Sequence, residues 1–268
     1  MATELPAVQP RIRHQSTVGS YADGVAAIPD RALQFAEAAD KRDWKHHLKE
    51  IRNQAGAILN RAGLENEDFT VLSNDCWGQA LYEELGLTLR TPLVGGGMHA
   101  DCFLRFLGDV EGYLASPLRF IPDSSYASVR RLRKQRHAWP VGLLRNEVEI
   151  HFLHSYSEDD SRRIWETGCE RLNLNRLVVK FSSGKDGATQ QHIEQFAALP
   201  FERKLIISPQ PQPHIACAIQ APDYVINGAV MFRRSLKYFD CAHWLNTGEV
   251  LRRTPRVLLN KLLFARGV

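Results

Sequence analysis

A chain of 268 residues, 44% hydrophobic and 24% charged, has the makeup of a globular protein with room for one substantial α/β domain and an appendage. Its net charge of +4 suits anionic ligands such as phosphates, CoA or lipid headgroups without demanding them. No apolar run approaches the roughly 20 residues of a membrane-spanning helix, and the first 30 residues lack the apolar middle of a secretory signal, so the expected location is the cytoplasm.

Residues 1–28 show no apolar periodicity and read as a mobile N-terminal arm. From Asp30 onward, Leu33, Trp44, Leu48, Ile51, Ala55 and Ile58 recur at three- and four-residue steps. This predicts a helical lead-in over 29–64 that stops at Gly63. Short apolar runs then alternate with helical stretches: strands are expected at 69–73, 148–153, 176–181 and 204–208, and helices at 76–85, 98–114, 157–172 and 188–198. Such alternation predicts a three-layer, Rossmann-like α/β core over 65–246, its mostly parallel sheet covered by helices on both faces. Its ligand should lie beyond the carboxyl ends of the strands.

The stretch PDSSYASVRRLRKQRH, 122–137, interrupts the alternation as a polar, basic loop, and its lack of interleaved aromatics argues against nucleic acid. HIACAIQ, 214–220, reads as one more strand. Residues 247–268 form a basic C-terminal tail, helical after Pro255, with Val257, Leu258, Leu262 and Phe264 apolar. It is expected either to dock on its own domain or to touch an anionic membrane surface peripherally. The five cysteines, 76, 102, 169, 217 and 241, are widely spaced with no C-x-x-C pair, so reduced thiols and no metal site are expected.

Three constellations carry chemistry. DFTVLSNDCWG, 68–78, runs a strand into a strand-to-helix turn where Asn74 or Asp75 can cap the helix. Cys76 then falls in the first helical turn, where the helix dipole would favour its thiolate. In VEIHFLHSYSEDD, 148–160, alternation places Glu149 and His151 on one strand face and His154 at the strand end. In a parallel sheet that end adjoins the Cys76 turn, making His154 the first general-base candidate and His151 the second. Ser157 is expected to cap the following helix, with Asp160 completing a capping box. VVKFSSGKDG, 178–187, ends a strand at Lys180 and Phe181 and enters a loop whose backbone and lysine suit an anion, without Walker A spacing.

Ser73-Asn74-Asp75-Cys76-Trp77-Gly78, His151-Phe152-Leu153-His154, and Lys180-Phe181 followed by Asp186-Gly187 together resemble the motifs of a bacterial family of unknown function found in exopolysaccharide or capsule biosynthesis loci. The likeness covers roughly 65–246, with Asp75 where the family motif has a second asparagine. The Asn-Cys turn is also similar to the start of a CoA-binding family of capsule-polysaccharide acyltransferases. That resemblance implies Asn74 as an oxyanion stabiliser and a downstream histidine as base.

The resulting expectation is a transferase of surface-polysaccharide assembly acting on a sugar or lipid-linked glycan, its acyl-transfer version moving an acyl group to a sugar hydroxyl. Cys76, His154, His151 and Asn74 are the expected catalytic residues. Ser73, Trp77, Lys180 and Asp186 are expected to bind substrate, and acyl-CoA or a nucleotide sugar is the expected donor. A glycosyltransferase is the first alternative, although no D-x-D motif is present, and a non-catalytic binding or scaffolding protein of the assembly machinery is the second.

Overall fold

The apolar runs fold into two sheets of opposite character. The computed structural model describes residues 30–223 and 228–265, with side chains from residue 44 onward; the expected N-terminal arm, 1–28, lies outside the described residues. The chain forms two compact units, Met1–Lys45 and His46–Val268. Helix α1 spans Asp30–Arg61, matching the expected lead-in. The sheets and the remaining helices belong to the second unit.

Strand β1 (Thr70–Ser73) leads through a turn to α2 (Trp77–Leu85). The single helix expected over 98–114 is two, α3 (Ala100–Gly108) and α4 (Val110–Leu114). The break falls at Asp109, whose carboxylate accepts from the Gly112 N–H and so caps α4. After β2 (Arg119–Ile121) the basic stretch, expected as a loop, forms α5 (Ala127–Gln135), a helix with no buried residue. Two of its arginines fasten it: Arg130 donates to the carbonyls of Ser124 and Ser125, and Arg133 donates to those of Pro122 and Trp139 and pairs with Asp123 at 2.6 Å.

The strand expected at 148–153 does not join the parallel sheet. It is β4 (Val148–His151), the second arm of a hairpin with β3 (Val141–Leu144); β2, β3 and β4 make a separate antiparallel sheet. The reason is local. Arg145 and Asn146 both take positive φ, 49° and 60°, and the Glu147 N–H donates back to the Leu144 carbonyl. This is the turn geometry that returns a strand on itself rather than sending it across a helix.

Helix α6 (Glu158–Glu170) starts at Ser157, whose hydroxyl accepts from the Asp160 N–H at 3.1 Å. Asp160 does not close the expected capping box; its carboxylate is turned to Arg163. The remaining elements are β5 (Leu177–Ser182), α7 (Gln190–Ala198), β6 (Arg203–Ser208), β7 (Ala218–Gln220), α8 (Gly228–Ser235), α9 (Cys241–Thr247) and α10 (Pro255–Leu263). β7 is the HIACAIQ strand.

Parallel pairing in the order β1-β5-β6-β7 builds the main sheet, with Ser73 opposite Lys180. Side-chain alternation sends Leu72, Val179, Phe181 and Ile206 to one face, where α3, α4, α6, α7 and the antiparallel sheet cover them. Val71, Val178, Leu205 and Ile207 go to the other face, beneath α2, α8 and α9. Both faces of the sheet are thus dry, as a parallel sheet requires, and the expected three-layer α/β class holds. At the outer edge, Arg252 donates from Nη2 to the carbonyls of Ala216 and Ala218, covering the open side of β7.

α1 meets α10 through Asn60 and Asn260, whose buried side-chain amides exchange hydrogen bonds at 3.0 and 3.1 Å. The expected tail helix therefore docks on its own unit through Val257, Asn260 and Phe264. Leu258 and Leu262 remain 60% and 74% exposed. Among the described residues, no helix is long and apolar enough to cross a membrane.

Candidate functional site

β1 and β5 are neighbours, yet the helices that follow them part company: α2 packs on one face of the sheet and α7 on the other. A crevice opens beyond the carboxyl ends of two such strands, which is where open α/β sheets take their ligands. Here it is a cleft of about 480 Å³ lined by Cys76, Gln79 and Glu83 on the α2 side, Arg136, His137, Trp139 and His154 on the antiparallel-sheet side, and Lys185.

Beneath the cleft lies a buried charged network. The Lys180 ammonium, wholly buried, contacts both oxygens of Asp75 at 2.8 and 2.9 Å, donates to the Ser182 hydroxyl and sits 5.5 Å from the centre of the Trp77 ring. Asp75 also accepts from the Ser73 hydroxyl and the Trp77 N–H, and its second oxygen is 3.7 Å from Lys185. Burial by itself would raise the Asp75 carboxyl, but the Lys180 and Lys185 charges overcome it and hold the group well below the usual carboxylate range. Burial pushes the Lys180 ammonium down to about 8 against the pull of Asp75, so the pair stays charged at neutral pH.

The expected site residues divide sharply. Cys76 and His154 both line the cleft. They are brought together by the three consecutive glycines 95–97: Cys76 Sγ donates to the Gly96 carbonyl at 3.7 Å, His154 N–H donates to the Gly95 carbonyl, and Gly97 forms an antiparallel bridge with His151. Gly95 holds φ at 63° with His154 packed over it, a position that a side chain would strain.

Ser73, Asn74, Trp77, His151 and Lys180 are buried. Asn74 is buried with both ends of its amide locked on the Ser182 backbone, donating to its carbonyl at 3.1 Å and accepting from its N–H at 2.8 Å. The expected oxyanion donor is therefore already used in joining β1 to β5. Trp77, expected to bind substrate, is fully buried, edge-on to Phe232 and Trp244, and its indole donates to Ser235. Ser73 and Lys180 belong to the Asp75 network, leaving Lys185 as the lysine at the cleft. Asp186 takes a left-handed φ of 54°, pairs with Lys185 at 3.2 Å and accepts the Ala100 N–H on its carbonyl. Burial raises its carboxyl.

His151 is buried, and neither ring nitrogen has a hydrogen-bond partner. Its Nε2 stands 3.6 Å from Glu149, which accepts from the Ser124 hydroxyl and the Ser125 N–H. Burial drives the His151 ring down to about 4, with Glu149 opposing. It is thus a neutral histidine within the antiparallel layer.

The thiol also departs from expectation. Cys76 is the residue before the helix, not within its first turn, and its side chain makes no capping bond. Asp75 satisfies the Trp77 N–H instead, which answers which of Asn74 and Asp75 serves the helix start. Burial first, and the Asp75 charge second, push the Cys76 thiol up to about 11, outweighing Lys185 and Lys180. At neutral pH it is a neutral thiol whose S–H donates to the Gly96 carbonyl.

Arg136, Trp139 and Glu83 line the cleft but are not singled out by the sequence, whereas Lys185 is the lysine of the SSGKDG loop expected to suit an anion. The glycine triplet in TPLVGGGMH was the available signal, since consecutive glycines mark close approach of one backbone to another.

Comparison with known proteins gives the family. A family model described as a domain of unknown function, DUF1919, matches residues 47–246, and the chain belongs to that family. It is also 29% identical over 181 residues to an uncharacterized protein of Haemophilus influenzae, a match that covers 68% of this chain and 79% of the relative.

Proposed function

We propose that this DUF1919 protein is a transferase that moves a group from an anionic donor to the hydroxyl of a sugar-containing acceptor, in the assembly of a surface polysaccharide. One observation carries the reading: the cleft at the divergence of β1 and β5 presents a histidine, His154, and a cation, Lys185, on facing elements. The pathway rests on the resemblance of the Ser73–Gly78 and His151–His154 motifs.

In this mechanism His154 takes the proton from the acceptor hydroxyl as it attacks. Lys185 holds the negative charge of the donor, and the ammonium is itself fixed by Asp75 and Asp186 on its far side. Cys76 lines the cleft as a neutral thiol and forms no covalent intermediate, so the group passes directly from donor to acceptor. The exposed Leu258 and Leu262 of α10, with Arg253 and Lys261 beside them, support a seat at the inner face of an anionic membrane where a lipid-linked glycan would be met.

A thermal-shift screen against acyl-CoAs, nucleotide sugars and polyprenyl phosphates tests the reading, because a ligand selective for the native state raises its melting temperature. Stabilisation by acyl-CoA identifies acyl transfer, and stabilisation by a nucleotide sugar identifies glycosyl transfer. Failure of every donor to stabilise the chain, or full turnover in His154→Ala, defeats the proposal.

A further inference from the structure

We propose that the acceptor entering the cleft is an acidic glycan, its carboxylate or phosphate held by Arg136 beside Trp139. The inference rests on the transferase reading of the cleft and adds the chemical class of the acceptor.

The cations of α5 fall into two sets. Arg130 and Arg133 hold the helix to the body, as described above. Arg131 and Lys134 are exposed and have no hydrogen bond or ion pair among the described residues. Arg136, which follows α5 and donates its backbone N–H to the Leu132 carbonyl, has a guanidinium equally without a partner there, and it lines the cleft. A guanidinium left uncommitted at the rim of a cleft is a ready fork for a carboxylate or phosphate.

Trp139 supplies the independent observation. Its side chain lines the same cleft and is only 3% exposed, yet its indole Nε1–H is buried and has no acceptor; His137 Nε2 beside it is in the same condition. A buried donor without an acceptor is costly, and an oxygen-rich ligand relieves it. Glu83 on the opposite wall offers a carboxylate to sugar hydroxyls. Tyr156, 82% exposed and stacked on His137 with ring centres 4.7 Å apart, offers an aromatic face to a pyranose ring. A cation, an unused indole N–H and an unpartnered imidazole nitrogen on one wall, an acceptor on the other and an aromatic face nearby match a hydroxylated ring that carries an acid. Single-stranded nucleic acid is a poorer match, because α5 has no aromatic residue on which successive bases could stack.

Calorimetric titration of the full chain with tetragalacturonate, phosphorylated maltotetraose, neutral maltotetraose and a thymidine oligonucleotide tests the proposal. At least one acidic oligosaccharide should bind, more weakly as salt rises. Its affinity should fall about ten-fold or more in Arg136→Ala and several-fold in Trp139→Phe. A protein that binds the acidic sugar in this way without transferring to it would sink the transferase reading and leave this one standing. Binding of neutral maltotetraose or the oligonucleotide as tightly as the acidic sugars, indifference to Arg136→Ala, or no binding of either acidic sugar would overturn the proposal.

Discussion

Lys180 Nζ reaches both carboxylate oxygens of Asp75, at 2.8 and 2.9 Å, in a position with no solvent exposure at the lysine. The pair ties the turn after β1 to the last part of β5, so the cleft floor is held by charge as well as by backbone. Removing one partner strands the other charge. Lys180→Met is expected to cost about 3–5 kcal/mol of unfolding free energy in urea titrations, and the double variant Asp75→Asn with Lys180→Met less than the sum of the single changes. A loss in Lys180→Met below about 1 kcal/mol would refute this account of the floor.

The same pair sets an acid limit. Because the Asp75 carboxyl is depressed in the folded chain, its contribution is complete above its unfolded value of 3.8 and is lost as pH falls from there toward the folded value. Stability measured between pH 5 and pH 2 should drop more steeply in the wild type than in Asp75→Asn.

His151 acts in a higher window. Its ring falls from 6.5 to about 4 on folding, so the unfolded chain binds the extra proton between those values and stability decreases as pH falls through them. The full effect is on the order of 3 kcal/mol. Replacing His151 with Leu should flatten the stability profile between pH 7 and pH 4.5; an unchanged slope would show that the ring does not carry it.

Cys76 should behave as a spectator. With its thiol at about 11, iodoacetamide at pH 7 should label it slowly, and Cys76→Ser should keep most of the turnover. His154→Ala should lose about 10²- to 10⁴-fold in kcat with an unchanged melting temperature. Abolition of activity by Cys76→Ser, with the fold retained, would restore the thiol as nucleophile.

The α10 leucines give a surface prediction. Leu258→Glu with Leu262→Glu should leave thermal stability within about 0.5 kcal/mol, since both side chains face outward. Co-sedimentation with anionic phosphatidylglycerol vesicles should fall sharply. Equal sedimentation of the variant would remove the membrane seat.

What the sequence made legible followed from period and local chemistry. The runs of β1, β5 and β6 stood out as continuous apolar strands because both faces of a parallel sheet are buried, and Ser157 announced α6 through its own hydroxyl. The VEIHF run looked the same, since β4 is also buried throughout. Only the paired positive φ of Arg145 and Asn146 sends it into another sheet; asparagine tolerates that geometry, but arginine does not advertise it as glycine would. Cys76 and His154, read as candidates from their places at element ends, both line the cleft. Asn74, expected in catalysis, and Trp77 and Lys180, expected to bind substrate, are engaged with partners inside the protein, and polarity in sequence does not reveal whether a partner already waits in the core. Lys180 is an ammonium matched to a carboxylate 105 residues away, a pairing that only the β1–β5 register creates.

The guanidinium of Arg252 across β7 bears on the life of the protein in a crowded solution. An open parallel strand invites a like strand from another molecule, and here any newcomer must first displace a cation that occupies the carbonyls of Ala216 and Ala218. The arginine works as a guard against self-assembly at the sheet margin, so the chain can keep both faces of the sheet buried without offering its last strand as a template for fibres.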